Sequence, residues 1–399
     1  MSNRRSKLFD WMISRHTRLF YKLAYYILPE DMTNLNLDLV DGSQRRALIC
    51  YLSLNGITDM GGVGHAAVLH YNQMIHYFIE RGYCVDTCYC NDETAFERLG
   101  NRQYDVVIGF GKAYKMFAAA LNARHKVLFV TENNPKVVKT KYEERVVSFK
   151  NRHSNIPVNK SISRNDFYDT EQFGISDCSI IMSSMFNAAS MFPFFEKAYT
   201  INSNAIMYEK YRFDEALVKS WIPSSKRNFL WFGSTGFIHK GGDLVLDAMK
   251  ELPDCHVDFY GINKYEKSLW KRLKVDNATD CGYVNVQSKQ FVSQVVQHHC
   301  FLILPSCSEG MCTSVCTCMA HGIIPIITKE CGLEPHPSII EIDDWSVGGI
   351  IKVMRYALSL SDTEILKMRR EAYYYARESF TLDIFDKRFH AIMDEVLSD

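Results

Sequence analysis

Glu309 and Gly310 stand inside CFLILPSCSEGMCTSVCTCMAHGIIPII, residues 300–327, between an apolar run and a cysteine-rich helical pattern. CFLILP reads as a buried strand. The acid then lies at the carboxyl end of that strand, where open α/β sheets bind ligands. A carboxylate there accepts hydrogen bonds from ligand hydroxyls, and the backbone N–H groups after it face the same ligand. Taken alone, a loop glutamate is a solvated side chain, so its meaning depends on what else reaches that place. The second candidate is FLWFGSTGFIHKGGDLVLDAMKEL, where His239-Lys240-Gly241-Gly242-Asp243 opens a helix. A lysine beside a helix N-terminus joins a full positive charge to free N–H donors and a partial one, which suits phosphate. The bland alternative is an exposed lysine before a capping aspartate.

A third glycine-bearing loop, NGITDMGGVGH, follows the strand pattern RALICYLSL. Gly62-Val63-Gly64-His65-Ala66-Ala67 matches G-x-G-x-x-A, with Asp86 about 20 residues on, as in dinucleotide sites. The match is imperfect. A long loop separates strand from glycines, and Asp86 falls inside a strand pattern. What remains is a glycine-rich helix start fit for an anion or a close-approaching ligand. Glu132, in VTENNPKVV, ends another strand and suits a general base. Arg145, Arg152 and His153, in RVVSFKNRHSN, suit a phosphate. Cys312, Cys316 and Cys318 lack a partner pair at metal-ligand spacing and read as small core thiols, so no metal site is expected.

Strand, loop and helix must alternate to hold these residues. YCVDTCYCN, YDVVIGFG, KVLFVTEN and CSIIMSS continue the strand series, and AAVLHYNQMIHYFIERG gives a helix with Val68, Tyr71, Met74, Ile75 and Phe78 on one side. The pattern weakens around residues 203–228 and resumes at RNFLWFGS. This predicts two α/β domains with parallel sheets and helices on both faces. The expected boundaries are 1–40 for an N-terminal amphipathic basic helix, 41–205 and 206–380 for the domains, and 381–399 for a helix packing back on the first. In residues 1–27, Arg4, Lys7, Arg15, Arg18 and Lys22 share one arc of a helical wheel opposite an apolar face, which suits either an interfacial helix on anionic lipid or a terminal helix packed on the body.

The 399 residues carry 46 basic and 46 acidic side chains, which argues against a nucleic-acid binder. Thirteen scattered cysteines fit a reducing compartment. With no leader pattern and no apolar run near the ~18 residues of a spanning helix, the expectation is cytoplasmic, with peripheral contact at the inner face of a membrane through residues 4–27.

Set in order, FGSTGFIHKGGDLVLDAMKELPDCHVDFYGI, CGYV and CFLILPSCSEGMCTSVCTCMAHGIIPIIT resemble the second half of the retaining glycosyltransferases of family 4 (group 1), which have the GT-B fold. The resemblance covers residues 229–335 and extends more loosely to the first half through GGVGH, DVVIGFG and SDCSIIMSS. It implies two Rossmann-like domains facing a central cleft, and transfer of a sugar from a nucleotide-sugar donor to an acceptor hydroxyl without metal or cofactor. By position, Lys240 holds the diphosphate and Glu309 the sugar hydroxyls. Gly310, Met311, Cys312 and Thr313 approach the donor, as do Gly233, Ser234 and Gly261. Gly61 and Gly62 line the cleft opposite, with His65 and Glu132 near the acceptor. The basic start extends the expected acceptor to a lipid-linked or membrane-proximal glycan, as in surface polysaccharide or glycolipid assembly.

Two positions depart from the family. The second acid of E-x7-E, which binds the ribose, is Thr317, and the arginine that often follows the first glycine is Ser234. A deoxyribose donor, with no 2′-hydroxyl to accept from, is one consequence; a catalytically silent scaffold is another. A sugar-nucleotide epimerase of the same fold and a nicotinamide-dependent dehydrogenase are the other readings kept open.

Overall fold

The computed structural model describes residues 32–35, 45–52, 66–158 and 167–398. Gly61, Gly62, His65 and the basic stretch 4–27 lie outside the described residues.

Two sheets organise the chain. The first has seven strands in the order β1-β3-β2-β4-β5-β6-β7: β1 (Met32–Leu35), β2 (Arg46–Tyr51), β3 (Cys84–Tyr89), β4 (Val106–Gly109), β5 (His125–Val130), β6 (Cys178–Ile181) and β7 (Lys197–Thr200). All pair in parallel except β1, which runs antiparallel on the edge of β3. That edge strand falls within the stretch assigned by sequence to the N-terminal amphipathic basic helix; four residues carry too little pattern to announce it. The second sheet is wholly parallel, in the order β10-β9-β8-β11-β12-β13: β8 (Asn228–Phe232), β9 (His256–Tyr260), β10 (Ala278–Gly282), β11 (Phe301–Leu304), β12 (Ile324–Ile327) and β13 (Ile340–Glu341). Central strands read as unbroken apolar runs, FLIL in β11 for example, because helices cover both faces and leave no wet side to alternate with.

Strand order locates the crevices. In the second sheet β8 lies between β9 and β11, so chain progression reverses there and the loops after β8 and β11 diverge. Those loops carry Lys240 and Glu309. In the first sheet the reversal falls between β2 and β4, with the glycine-rich loop following β2.

The helices used below are α1 (Ala66–Glu80), α2 (Gly111–Ala120), α3 (Pro135–Arg152), α4 (Glu215–Ser225), α5 (Gly242–Met249), α6 (Lys267–Leu273), α7 (Thr313–Met319), α8 (Val347–Ser359), α9 (Asp362–Ser379) and α10 (Leu382–Ser398). Helix α1 buries Val68, Tyr71, Met74, Ile75 and Phe78, as its periodicity requires. Helix α4 lies in the stretch where the sequence pattern weakens. Only Val218, Ile222 and Ser225 of it are buried, so its apolar stripe is too thin to read. Every residue of α5 is buried, Asp243 and Asp247 included. Helix α10 leaves the second half and packs on α1. Phe385 stacks on His70 at 4.2 Å, Arg81 grips Asp394 through two nitrogens, and Tyr77 donates to the same carboxylate at 2.8 Å. Its apolar face of Phe385, Phe389, Ile392, Met393 and Val396 contributes about 1.5–3 kcal/mol per large side chain.

Candidate active site

Lys240 and Glu309, 69 positions apart in sequence, meet at the switch point: Lys240 Nζ donates to Glu309 Oε1 at 2.5 Å, and the Ser306 hydroxyl donates to the same oxygen at 2.8 Å. Both are almost fully buried, at 5% and 4% exposure. A buried ion pair of this kind gains Coulomb energy and loses hydration in similar measure, so it is poor support for stability and a good store of charge for a ligand. The loop that brings Lys240 in turns on Gly241, whose φ of 66° lies in the left-handed region; a Cβ there would sit 2.7 Å from the Pro305 carbonyl oxygen. His239 fastens the two loops together. Its carbonyl accepts from the Cys307 amide at 2.9 Å, its Nε2 contacts the Ser308 carbonyl, and its Nδ1 lies 3.5 Å from the Cys307 thiol.

The first half of the chain closes over this site. Gly310 lies so near β5 that an added Cβ would overlap the Thr131 carbonyl oxygen, with the Glu132 amide next to it. The backbone of Thr131 and Glu132 therefore abuts Gly310 from the first half. From the end of β6, the Ser183 hydroxyl donates to the Gly310 carbonyl at 2.7 Å. Asn187 Nδ2 donates to the carbonyls of Glu309 at 3.0 Å and Glu330 at 3.2 Å. Ser183 and Asn187 escaped the sequence reading. The available signal was that SDCSIIMSS ends a strand whose carboxyl end opens on the same crevice.

The remaining candidates divide by surroundings. Gly233 donates its amide to Tyr260 O at 3.2 Å, Gly261 donates to Gly282 O at 2.7 Å, and Ser234 is exposed beside them. Thr313, half-buried, opens α7. The Cys312 amide donates to Cys331 O at 3.0 Å, and Met311 Sδ lies 3.2 Å from the Ser203 amide. Thr317 is committed: its hydroxyl accepts the Ile206 N–H at 3.0 Å, and it is 3% exposed. Burial pushes the thiols of Cys312, Cys316 and Cys318 well up, as expected of core thiols, and all thirteen cysteines are free. Among the described residues no group of three or more His, Cys, Asp or Glu side chains is arranged to hold a metal.

Asp86 is fully buried and held by Arg46 at 3.3 Å, Arg102 at 2.7 Å and the Tyr104 hydroxyl at 2.7 Å. It lies within β3, three residues before the strand's carboxyl end, and is fully occupied by these partners. Arg145, Arg152 and His153 all turn toward the second half. Arg145 Nη2 donates to Pro305 O at 2.5 Å, Arg152 pairs with Asp243 at 2.5 Å and with Asp247, and His153 Nε2 lies 2.8 Å from Asp247 Oδ2.

No family model matches the chain, and no curated protein matches its sequence. Solved structures do. Anabaena HepE, solved with UDP and glucose, aligns at a TM-score of 0.58 with 10% identity, over 88% of this chain and 100% of that one. Sucrose-phosphate synthase from Thermosynechococcus elongatus aligns at 0.60 with 12% identity, over 89% and 99%. WaaG, a glycosyltransferase involved in lipopolysaccharide biosynthesis, aligns at 0.56 with 15% identity, over 87% and 99%. The class these likenesses define is the GT-B fold: two Rossmann-like domains with a cleft between them.

Proposed function

We propose that the protein is a glycosyltransferase that moves a sugar from a nucleotide-sugar donor to an acceptor hydroxyl, retaining and metal-independent, of the family 4 (group 1) type. The observation that carries this reading is the buried Lys240–Glu309 pair at the switch point of the second sheet. The donor diphosphate takes Lys240 from Glu309. The carboxylate so released accepts hydrogen bonds from sugar hydroxyls. As the glycosidic bond breaks, negative charge grows on the leaving diphosphate, and the Lys240 ammonium stabilises it more than it stabilises the ground state. Glu132 is placed for the acceptor side, as base or contact. The acceptor of this reading is a glycan or lipid-linked glycan of surface polysaccharide or glycolipid assembly, met at the inner face of the cytoplasmic membrane through residues 4–27. Among the described residues no helix is long and apolar enough to cross a membrane. Liposome sedimentation of the full chain and of a chain lacking residues 1–27 tests the contact; equal binding by both rejects it.

One observation favours a second reading, a silent scaffold: Thr317 is buried with its hydroxyl accepting the Ile206 amide, so a packed hydroxyl stands where the family has a ribose-binding carboxylate. A thermal-shift series with UDP, GDP, ADP, TDP, CDP and NAD separates the two. Stabilisation by one nucleoside diphosphate, lost in Lys240→Ala, supports transfer. No stabilisation by any of them leaves the scaffold. A ligand that binds only the folded state raises the melting temperature by mass action.

A further inference from the structure

The geometry points to a phosphate-group site on the N-terminal side of the cleft, formed by Arg145, Arg152 and His153 and held shut by Asp243 and Asp247. Arg145 and Arg152 are seven residues apart on α3, about two turns, so they share a face, with His153 directly after. Across the seam between the halves, Arg152 and His153 meet α5 and Arg145 meets Pro305 and Trp345.

Arg145 is the pointed observation. It is 2% exposed, and its charge makes one hydrogen bond, to the Pro305 carbonyl, and lies 4.4 Å over the Trp345 ring. Its Nε and Nη1 are buried with no partner. A guanidinium has five N–H donors in a fork that matches an oxyanion, and burying it without an anion is costly. The shortfall continues along the seam: Arg152 Nε, Asp243 Oδ1 and Ser308 Oγ are also buried and unpartnered. Two facing surfaces with so many unmet polar atoms fit each other poorly. They fit a ligand with several oxygens better.

Asp243 and Asp247 occupy the place of such a ligand against Arg152 and His153. The cavity at Arg145, bordered by Lys141, Glu144, Ser306, Cys307, Glu330 and Trp345, is about 10 Å³, room for one water. A phosphate therefore enters as α3 withdraws from α5, exchanging with the two carboxylates. The Pro305 carbonyl that Arg145 holds is the one against which Gly241 packs, next to Lys240, so this site and the Lys240 site share a wall. The phosphate comes either from the donor diphosphate or from an acceptor phosphate, and the chemistry of recognition is the same. Only this choice of source rests on the glycosyl-transfer reading.

The test is calorimetric titration of inorganic pyrophosphate into the full chain, its Arg152→Gln, Arg145→Lys and Asp247→Asn variants, with circular dichroism melts to confirm folding. Arg152→Gln weakens binding by about tenfold through loss of charge-assisted bonds. Asp247→Asn removes the internal competitor and tightens binding by about fivefold. Arg152→Gln binding as tightly as the parent, or Asp247→Asn failing to tighten, overturns the proposal, as does no pyrophosphate binding by the parent. Should Arg152→Gln not fold, Arg145→Lys takes its place, since lysine keeps the charge and loses the fork. Weaker binding supports the site, and unchanged binding overturns it. Repeating the titration with saturating UDP names the source. Lost pyrophosphate binding assigns the donor diphosphate, and retained binding assigns an acceptor phosphate. Arginine-dependent pyrophosphate binding with no binding of any nucleoside diphosphate keeps the site and removes the glycosyl-transfer reading.

Discussion

Gly310 and Thr317 show how single side chains set the geometry of the cleft. At Gly310 the backbones of the two halves come together. Alanine there drives its Cβ into the Thr131 carbonyl, a backbone group that cannot rotate away. Gly310→Ala is therefore expected to hold the halves apart, read as a larger radius of gyration by small-angle X-ray scattering and faster limited proteolysis of the seam; an unchanged radius rejects it. Thr317 binds the segment crossing between the halves through Ile206. Thr317→Val leaves that buried N–H unpaired and costs about 1–3 kcal/mol, whereas Thr317→Ser keeps the acceptor and most of the stability. Denaturant melts of the two variants distinguish a hydrogen bond from a steric role. The paired acids of α5 behave oppositely. Burial raises the Asp243 carboxyl despite Arg152, while at Asp247 the bonds from Lys250 and His153 and the charge of Arg152 outweigh burial and lower it.

At the level of elements, α3 carries the cationic face of the seam, and its start is fixed locally. Asn134 caps it, accepting from the Lys136 amide at 3.0 Å, while its own Nδ2 donates to Ser190 O at 3.0 Å and Pro135 supplies a preset first turn. Asn134→Ala removes the cap. The expected loss is about 1 kcal/mol, or about 2–4 °C in melting temperature, with a smaller loss in Asn134→Asp. The sequence carries a local signal for this start in Asn134-Pro135. Which face the helix turns to the second half is not legible there, because its charged residues are spread around the wheel and only Val138, Arg145 and Phe149 are buried.

For the whole molecule, the polar contacts that tie the halves include α10 on α1, and α3 on α5. Both use aspartates whose carboxyls lie below the usual 3.8. At Asp394 burial pushes upward, but the Tyr77 hydroxyl and Arg81 win; Asp247 follows the same balance. A carboxyl lowered in the folded state contributes stability that is present above its unfolded value and is lost as pH falls through the folded one. Melting temperature is therefore expected to hold from neutral pH to about 4 and to fall below the 3.8 reference of these aspartates. Asp243, raised by burial, acts in the opposite sense: its ionised form costs stability at neutral pH, and protonation on acidification relieves it. Asp243→Asn is accordingly expected to melt at or above the parent temperature at pH 7, and Asp247→Asn below it. Scanning calorimetry of both variants at pH 7 and pH 4 checks the sign.

The sequence alone determined the two α/β halves, since unbroken apolar strands alternating with amphipathic helices have few other ways to bury their faces. It also placed Lys240 at a helix start and Glu309 at a strand end, because those signals are local. Tertiary structure decided the rest. Strand order alone brings Lys240 to Glu309, and nothing in residues 233–241 or 305–310 separately states that β8 and β11 are neighbours. Ser183, Asn187 and Arg145 gained their places from contacts more than 120 residues away in sequence, between surfaces that exist only once both sheets have formed. Local pattern fixes which face of an element is apolar. Which polar side chain meets which across a seam depends on how two finished layers pack, and no periodicity encodes that.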